Sequence, residues 1–213
     1  KVVSFALSDG EEIISESDGE EIYHIASLSK VYTSALIMKL AEEGKLSLDD
    51  KVFEILPDFS MADERYKDIT VGMLLFHTSG LFGSTLKNSV LYNDKDSWNH
   101  INFLKLLKNQ RLKFAPGTMS TYSNDGYSLL GLIIEKITGE SYSEYLHTVF
   151  DPFIPSGKLE TASELSGFAN EIFNSEASCG LYSNAKGICI SMYNIFATGN
   201  IVNDENSEFM LSE

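Results

Sequence analysis

The sequence predicts an α+β chain in which two N-terminal strands are followed by a mainly helical stretch. Three observations predict it. The opening segment "VVSFALSDGEEIISESDG" reads as two extended pieces around Asp9-Gly10, a favoured hairpin turn pair. Val31, Ala35, Met38 and Ala41 then recur at helical spacing, and Leu36 and Leu40 widen that apolar stripe. Further on, "GYSLLGLIIEKITG" is apolar on so many sides that it predicts a buried helix. Strands first and helices after them imply an α+β chain with a helical section added to the first sheet elements.

The remaining elements follow in order. Gly44 is the expected residue past the end of the first helix. Leu48 to Leu56 is a short amphipathic piece stopped by Pro57. "ITVGMLLFHTSGLFG" predicts a short helix that ends near Gly80, and "INFLKLLKNQ" over 101–110 an amphipathic one. Pro116-Gly117 marks a turn. Ser141, with Glu144 three residues on, has the spacing of a capping box for a helix running to Val149. Residues 151–178 read as irregular and 185–198 as helical again. Two strands are visible in the sequence, and a lone hairpin would expose an unpaired edge.

Composition narrows the function classes. A chain of 213 residues, 43% hydrophobic and 22% charged, is long enough to bury a core and reads as an ordinary globular protein. Its 31 acidic residues against 16 basic ones give a formal net charge of −15. That argues against nucleic acid as a partner and against an anionic membrane surface. No apolar run has the length of a membrane span. Cys179 and Cys189 are too few for a disulfide framework and read as reduced, small apolar residues. No Cys/His cluster suggests zinc, and neither a metal nor a cofactor is expected. The chain starts at Lys1 and shows no signal peptide, which says little about location.

One motif carries chemistry. In Ser-x-x-Lys on a helix the two side chains share a face, so a desolvated Lys amine can accept the Ser proton. The pattern occurs at Ser27–Lys30, Ser84–Lys87 and Ser183–Lys186. Ser84 lies in a loop-like polar stretch, and no second polar constellation surrounds Ser183. Ser27 opens a long apolar helix directly after strand-like material, which offers rigid support and desolvation together. Spacing leaves two readings of Ser27 open: nucleophile, or helix cap with Lys30 solvated in the first turn.

At this point the sequence resembles the serine β-lactamase and penicillin-binding-protein superfamily, on its class C side, which includes D-Ala-D-Ala carboxypeptidase-like and esterase-like members. The resemblance rests on four ordered segments. "YHIASLSKVYTSALIMKLAEEGKLSLDDKV" resembles the nucleophile helix, and "DITVGMLLFHTSGL" the segment ending in His-Thr-Ser-Gly-Leu. "FAPGTMSTYSNDGYSLLGLIIEKITGESYSEYL" resembles the Pro-Gly turn, the Tyr-x-Asn motif and the helix behind it; "GLYSNAKGICISMYNIF" resembles a later structural segment. Together they span roughly residues 3–150 and 178–200. The resemblance implies Ser27 as acylated nucleophile, Lys30 as its activating partner, Tyr122 as general base or proton relay, and Asn124 as the residue that binds the substrate amide and holds Lys30. A Tyr can serve as base only beside positive charge, which Lys30 would supply. His77 is implied to be a packed or capping histidine rather than a base.

The same resemblance implies a β-lactamase/transpeptidase-like α+β fold, an antiparallel sheet with a large helical subdomain. Residues 1–44 would hold the first strands and nucleophile helix, 45–175 the helical subdomain, and 176–213 a helix returning to the α/β part. It implies a serine hydrolase working through an acyl-enzyme on a β-lactam, a D-Ala-D-Ala peptide or an ester, in an extracytoplasmic setting (periplasmic, cell-surface or secreted). Partners would be a small molecule or peptidoglycan peptide, with no nucleic acid and no integral membrane segment. Some features depart from the pattern. The family's third motif, Lys-Thr-Gly or His/Lys-x-Gly, has no counterpart: Thr138-Gly139 and Thr198-Gly199 follow Ile and Ala instead of a cation. The sheet strands that normally follow it are also expected to be missing. Gly187 stands where an acidic residue is expected, and "DPFIPSG" replaces a Pro-Leu-Gly-Met run. These departures leave two alternatives to a hydrolase, a non-catalytic peptidoglycan-like ligand-binding module and an inactive fragment. They also suggest a homodimer that completes the sheet.

Overall fold

A computed structural model describes residues 4–8, 13–15, 21–83, 100–154, 158–161, 164–165 and 175–212, with 13–15 and 100–102 described by their backbone alone. The expected turn at Asp9-Gly10 and the motif Ser84–Lys87 lie outside the described residues. The architecture is α+β, as the sequence predicts. At its centre is helix α1 (Ser29–Glu42), in which Tyr32, Ala35, Leu36, Ile37 and Leu40 are fully buried. An apolar stripe was expected, yet burial runs round most of the helix because other elements cover it on several sides. The helix closes as foreseen. Gly44 takes φ +65°, its N–H donates to the Ala41 carbonyl (3.0 Å), and the Lys45 N–H reaches the Leu40 carbonyl (2.9 Å). That is a Schellman stop, built on a residue without a Cβ penalty.

Helix α2 (Val52–Ile55) and helix α3 (Val71–Leu75) are single turns. The sequence placed the end of α3 near Gly80; it ends instead at Leu75, with Phe76 as C-cap, because His77 beyond it turns left-handed at φ +59°. Helix α4 (His100–Lys108) matches its prediction. Helix α5 (Asn124–Thr138) is buried from Asp125 through Ile134, is capped by Ser123 and stops at Gly139 (φ +77°). Helix α6 (Tyr142–Phe150) carries the predicted capping box between Ser141 and Glu144. Helix α7 (Glu176–Cys179) is a short turn packed against α1 and α5. Gly131 of α5 admits it closely, since a Cβ there would lie 2.8 Å from the Ala177 Cβ. Helix α8 (Ala185–Phe196) and helix α9 (Asp204–Leu211) follow, α9 being an element the sequence had not suggested. Both cysteines are free.

Two strands were legible in the sequence; the described residues contain five. Strands β1 (Ala6–Ser8) and β2 (Ile13–Ser15) pair antiparallel and pack on α8. Strands β3 (Tyr23–His24), β4 (Leu159–Thr161) and β5 (Leu181–Ser183) form a second antiparallel sheet in the order β3-β5-β4. These last three are two or three residues long, too short to display an alternation. All three residues of β5 are buried, so even that strand carries no period-2 signal. The stretch read as irregular therefore contains a strand and a helix turn. Gly187 also finds its reason here. A Cβ at that position would sit 2.3 Å from the Lys158 carbonyl oxygen and 2.7 Å from Ser183 Oγ. The backbone entering β4 passes too close for any side chain, acidic or otherwise.

Two tests follow from this packing. Gly187→Ala is expected to destabilise the chain by about 1–3 kcal/mol through overpacking against backbone, read by denaturant unfolding. The second concerns the segment after β4. His147 bonds Asp151 through Nδ1 (2.9 Å) and Glu164 through Nε2 (3.0 Å), while Glu164 also accepts from the Thr161 N–H and from Ser143. Burial opposes the charge on His147, but its two carboxylate partners outweigh that and raise it above the ordinary 6.5. Burial likewise opposes the charge on Glu164, but the Thr161 N–H and its other donors hold it down at about 2. The raised histidine stabilises fully below its unfolded value and loses its contribution as pH rises through the folded one. The depressed carboxylate stabilises above its unfolded value and fades as pH falls towards 2. His147→Gln is therefore expected to cost at most ~1 kcal/mol, fully between about pH 4.5 and 6.5, with the deficit shrinking above that window in melts run across pH.

Candidate active site

Ser27 sits on a turn held from both sides. The chain leaves β3 with the Ile25 N–H donating to the Leu181 carbonyl of β5 (3.0 Å), then bends at Ala26, which is left-handed at φ +47°. A 3₁₀ turn over Ala26–Leu28 leads into α1. Ser29, fully buried, fastens this bend: its hydroxyl donates to the Ala26 carbonyl (2.7 Å) and accepts the Leu181 N–H (3.1 Å). Ser27 itself is exposed at the tip. It does not cap α1, because the residue before that helix is Leu28 and no side chain caps it. The capping reading of Ser27 falls with that observation.

Lys30 lies one turn on and is only 6% exposed. A buried ammonium needs acceptors. It donates to Asn124 Oδ1 (2.7 Å) at the start of α5 and to the Ser178 carbonyl (2.5 Å) in α7. Its Nζ also lies 4.8 Å from the Tyr122 ring centroid and 5.4 Å from that of Tyr127, within reach of both π faces. The reading of Lys30 as a solvated first-turn residue is thereby excluded.

Tyr122 closes the constellation. Its hydroxyl donates to Ser27 Oγ at 2.6 Å, across 95 positions of sequence. The residues after it start α5: Ser123 is the N-cap and accepts the Gly126 N–H (3.1 Å), while the Asn124 N–H donates to the Gly83 carbonyl (2.6 Å). Ser27, Lys30, Tyr122 and Asn124 are thus brought together by β3–α1, by the chain entering α5, and by α7. The other Tyr-Ser-Asn copy is elsewhere and otherwise engaged. Ser183 lies in β5 with its hydroxyl donating to the Lys158 carbonyl (2.5 Å), and Asn184 caps α8 through the Gly187 N–H (2.7 Å).

Several participants were invisible in the sequence. The Ser178 carbonyl is a backbone group in a segment read as irregular. Ser29 is the unremarked middle of Ser-x-x-Lys. Tyr127 donates its hydroxyl to the Leu75 carbonyl (3.2 Å) and lies 3.0 Å from Ser34 Oγ, which anchors the wall beside Lys30. His77 packs against Tyr122 and Tyr127, with ring centroids 4.7 Å and 5.2 Å away. Desolvation, with the Lys30 charge adding to it, lowers its pKa to about 4. Among the described residues no group of three or more His, Cys, Asp or Glu side chains could hold a metal ion, and no helix is long and apolar enough to cross a membrane.

Comparisons with known proteins bear on this arrangement. The family described as Beta-lactamase matches residues 3–158. Protein flp of Staphylococcus aureus (strain MW2) is 36% identical over 125 residues, 58% of this chain and 25% of that protein. Penicillin-binding protein 4 of Amycolatopsis lactamdurans is 34% identical over 125 residues, 58% of this chain and 32% of that protein. The matched stretch thus spans a quarter to a third of these relatives' own length. Among solved structures, the D-amino acid amidase of Ochrobactrum anthropi SV3 complexed with L-phenylalanine superimposes with a TM-score of 0.79 at 22% identity, covering 96% of this chain and 66% of the other. That likeness is one of fold.

Removing the Asn124 carboxamide should expose how the buried cation is supported. Asn124→Ala is expected to cost about 1–3 kcal/mol in urea unfolding, because it leaves Lys30 short of an acceptor.

Proposed function

The chain belongs to the β-lactamase family, whose chemistry is hydrolytic, and on that basis we propose that it is a serine hydrolase acting through an acyl-enzyme. The observation that carries this reading is the 2.6 Å hydrogen bond between Tyr122 and Ser27, with the Lys30 ammonium beside the same tyrosine ring. Ser27 Oγ attacks the substrate carbonyl carbon. As the bond from the carbonyl carbon to the leaving nitrogen or oxygen breaks, Tyr122 gives its own hydroxyl proton to that atom and takes the Ser27 proton in its place, so Tyr122 ends neutral and an ester is left on Ser27. Lys30 supplies a cation next to any negative charge that develops on the Tyr122 oxygen. Asn124, oriented by Lys30 through its Oδ1, binds the substrate amide. The backbone N–H of Ser27 is one donor for the carbonyl oxygen as it turns anionic. Water then attacks the ester carbonyl and the bond to Ser27 Oγ breaks; Tyr122 takes a proton from the water as it gives its own to Ser27 Oγ, which restores the serine hydroxyl and releases the carboxylic acid.

The substrate class is an acyl compound with an amide or ester to cleave: a β-lactam, a peptide ending in D-Ala-D-Ala, or an ester. A penicillin-binding protein among the relatives supports the first. Such substrates belong to an extracytoplasmic setting.

Labelling with a fluorescent penicillin and with an activated phosphonate, followed by intact-mass measurement, tests the reading. One covalent adduct per chain is expected, absent in Ser27→Ala. Tyr122→Phe is expected to slow adduct formation by about 10²–10⁴-fold. No adduct on the wild type, or equal labelling of Ser27→Ala, would sink the hydrolase. Saturable binding without a mass shift would instead identify a ligand-binding module.

A further inference from the structure

Helix α3 ends in a Schellman motif. The His77 N–H donates to the Leu74 carbonyl (3.3 Å) and the Thr78 N–H to the Met73 carbonyl (2.9 Å). The residue between those donors, at the position where glycine is strongly preferred, is His77 with φ +59°. Holding a side chain there costs on the order of 1 kcal/mol relative to glycine, and such strain persists where the side chain is wanted. What the side chain and its peptide group hold is the chain around Tyr122. The His77 carbonyl accepts the N–H of Thr121 (2.9 Å), and its Nδ1 accepts the N–H of Ser123 (3.1 Å). Tyr122 is bracketed by its two neighbours' amides, both fastened to one residue, and its ring lies against the imidazole at 4.7 Å.

We propose that His77 is a positioning residue, a neutral imidazole whose Nδ1 lone pair and backbone carbonyl fix the chain on both sides of Tyr122 and so aim its hydroxyl at Ser27. This rests on the hydrolase reading and adds a part to it. The tautomer follows from the geometry. Nδ1 accepts a backbone N–H, so the proton of the neutral ring is on Nε2. The titratable and charged groups facing the ring are Lys30 of α1, Tyr122 ahead of α5 and Tyr127 within it. A proton on Nδ1 would abolish the Ser123 bond and place a second cation near Lys30. Burial and Lys30 both resist that event, which accords with a pKa of about 4.

Two variants separate positioning from mere packing. In His77→Asn the side-chain oxygen can take the place of Nδ1, the left-handed backbone is tolerated and nothing titrates. In His77→Gly the backbone relaxes but acceptor and ring are gone. With the phosphonate probe, His77→Gly is expected to lower the rate constant for covalent labelling of Ser27 about 10- to 100-fold while half-saturation stays near the wild-type value, and His77→Asn to recover a large part of that loss. Both melting temperatures should stay within a few degrees of the wild type, since relief of strain offsets lost packing. Nitrogen NMR of the wild type should show His77 protonated on Nε2 alone throughout roughly pH 5–8. Equal labelling rates for His77→Gly and wild type, no recovery in His77→Asn, a protonated Nδ1, or titration near 6.5 would each overturn the proposal. A wild type that takes no probe refutes the hydrolase and the kinetic half of this proposal together, while the NMR still decides the tautomer.

Discussion

The burial of one ammonium group organises this molecule. Lys30 carries its charge into the seam where α1, α5 and α7 meet, and at 6% exposure it cannot rely on water. Its charge must be met by protein oxygens and aromatic faces, and those come from elements distant in sequence: Asn124 Oδ1, the Ser178 carbonyl, and the rings of Tyr122 and Tyr127. The cation thus makes the start of α5 and the turn of α7 converge on the first turn of α1. A shift in any of them leaves a buried charge or a buried carbonyl without a partner, so the constraint acts on the whole arrangement.

Around that cation the backbone is bent twice into the left-handed region by residues other than glycine, at Ala26 and His77. Each bend is overdetermined by its surroundings. Ser29 and β5 fasten the first, while a helix terminus and the amides flanking Tyr122 fasten the second. The first bend presents Ser27 at an exposed tip, and the second accepts the backbone N–H groups on either side of Tyr122. Strain of this kind collects where geometry has to be held against the chain's own preference. Here it falls on the two segments that bring Ser27 and Tyr122 within hydrogen-bond distance.

Much of the fold was legible because its signals are local. The Gly44 stop, the Ser141–Glu144 box and the apolar run of α5 each need only a few neighbouring residues, and each is present. The end of α3 was misplaced because Gly80 is the stronger residue signal, while the actual terminator, His77, is one whose left-handed state depends on contacts from Thr121 and Ser123. Strands β3, β4 and β5 were missed because two or three residues carry no periodicity, and only their mutual pairing makes them strands.

The candidate site divides in the same way. Ser-x-x-Lys occurs three times and its spacing left two readings of Ser27 open; the ordered segments that resemble the family were what singled out Ser27, Lys30, Tyr122 and Asn124. They were not enough to exclude Ser27 as a cap, to give Lys30 its Ser178 carbonyl acceptor, or to assign His77 anything beyond packing. Those questions turn on backbone carbonyls and amides, which every residue possesses and no sequence marks. The sequence by itself determined which side chains were available and which helices they start. Tertiary structure alone decided what each one faces, because a hydrogen bond across 94 or 95 positions exists only once α1 and α5 have packed together.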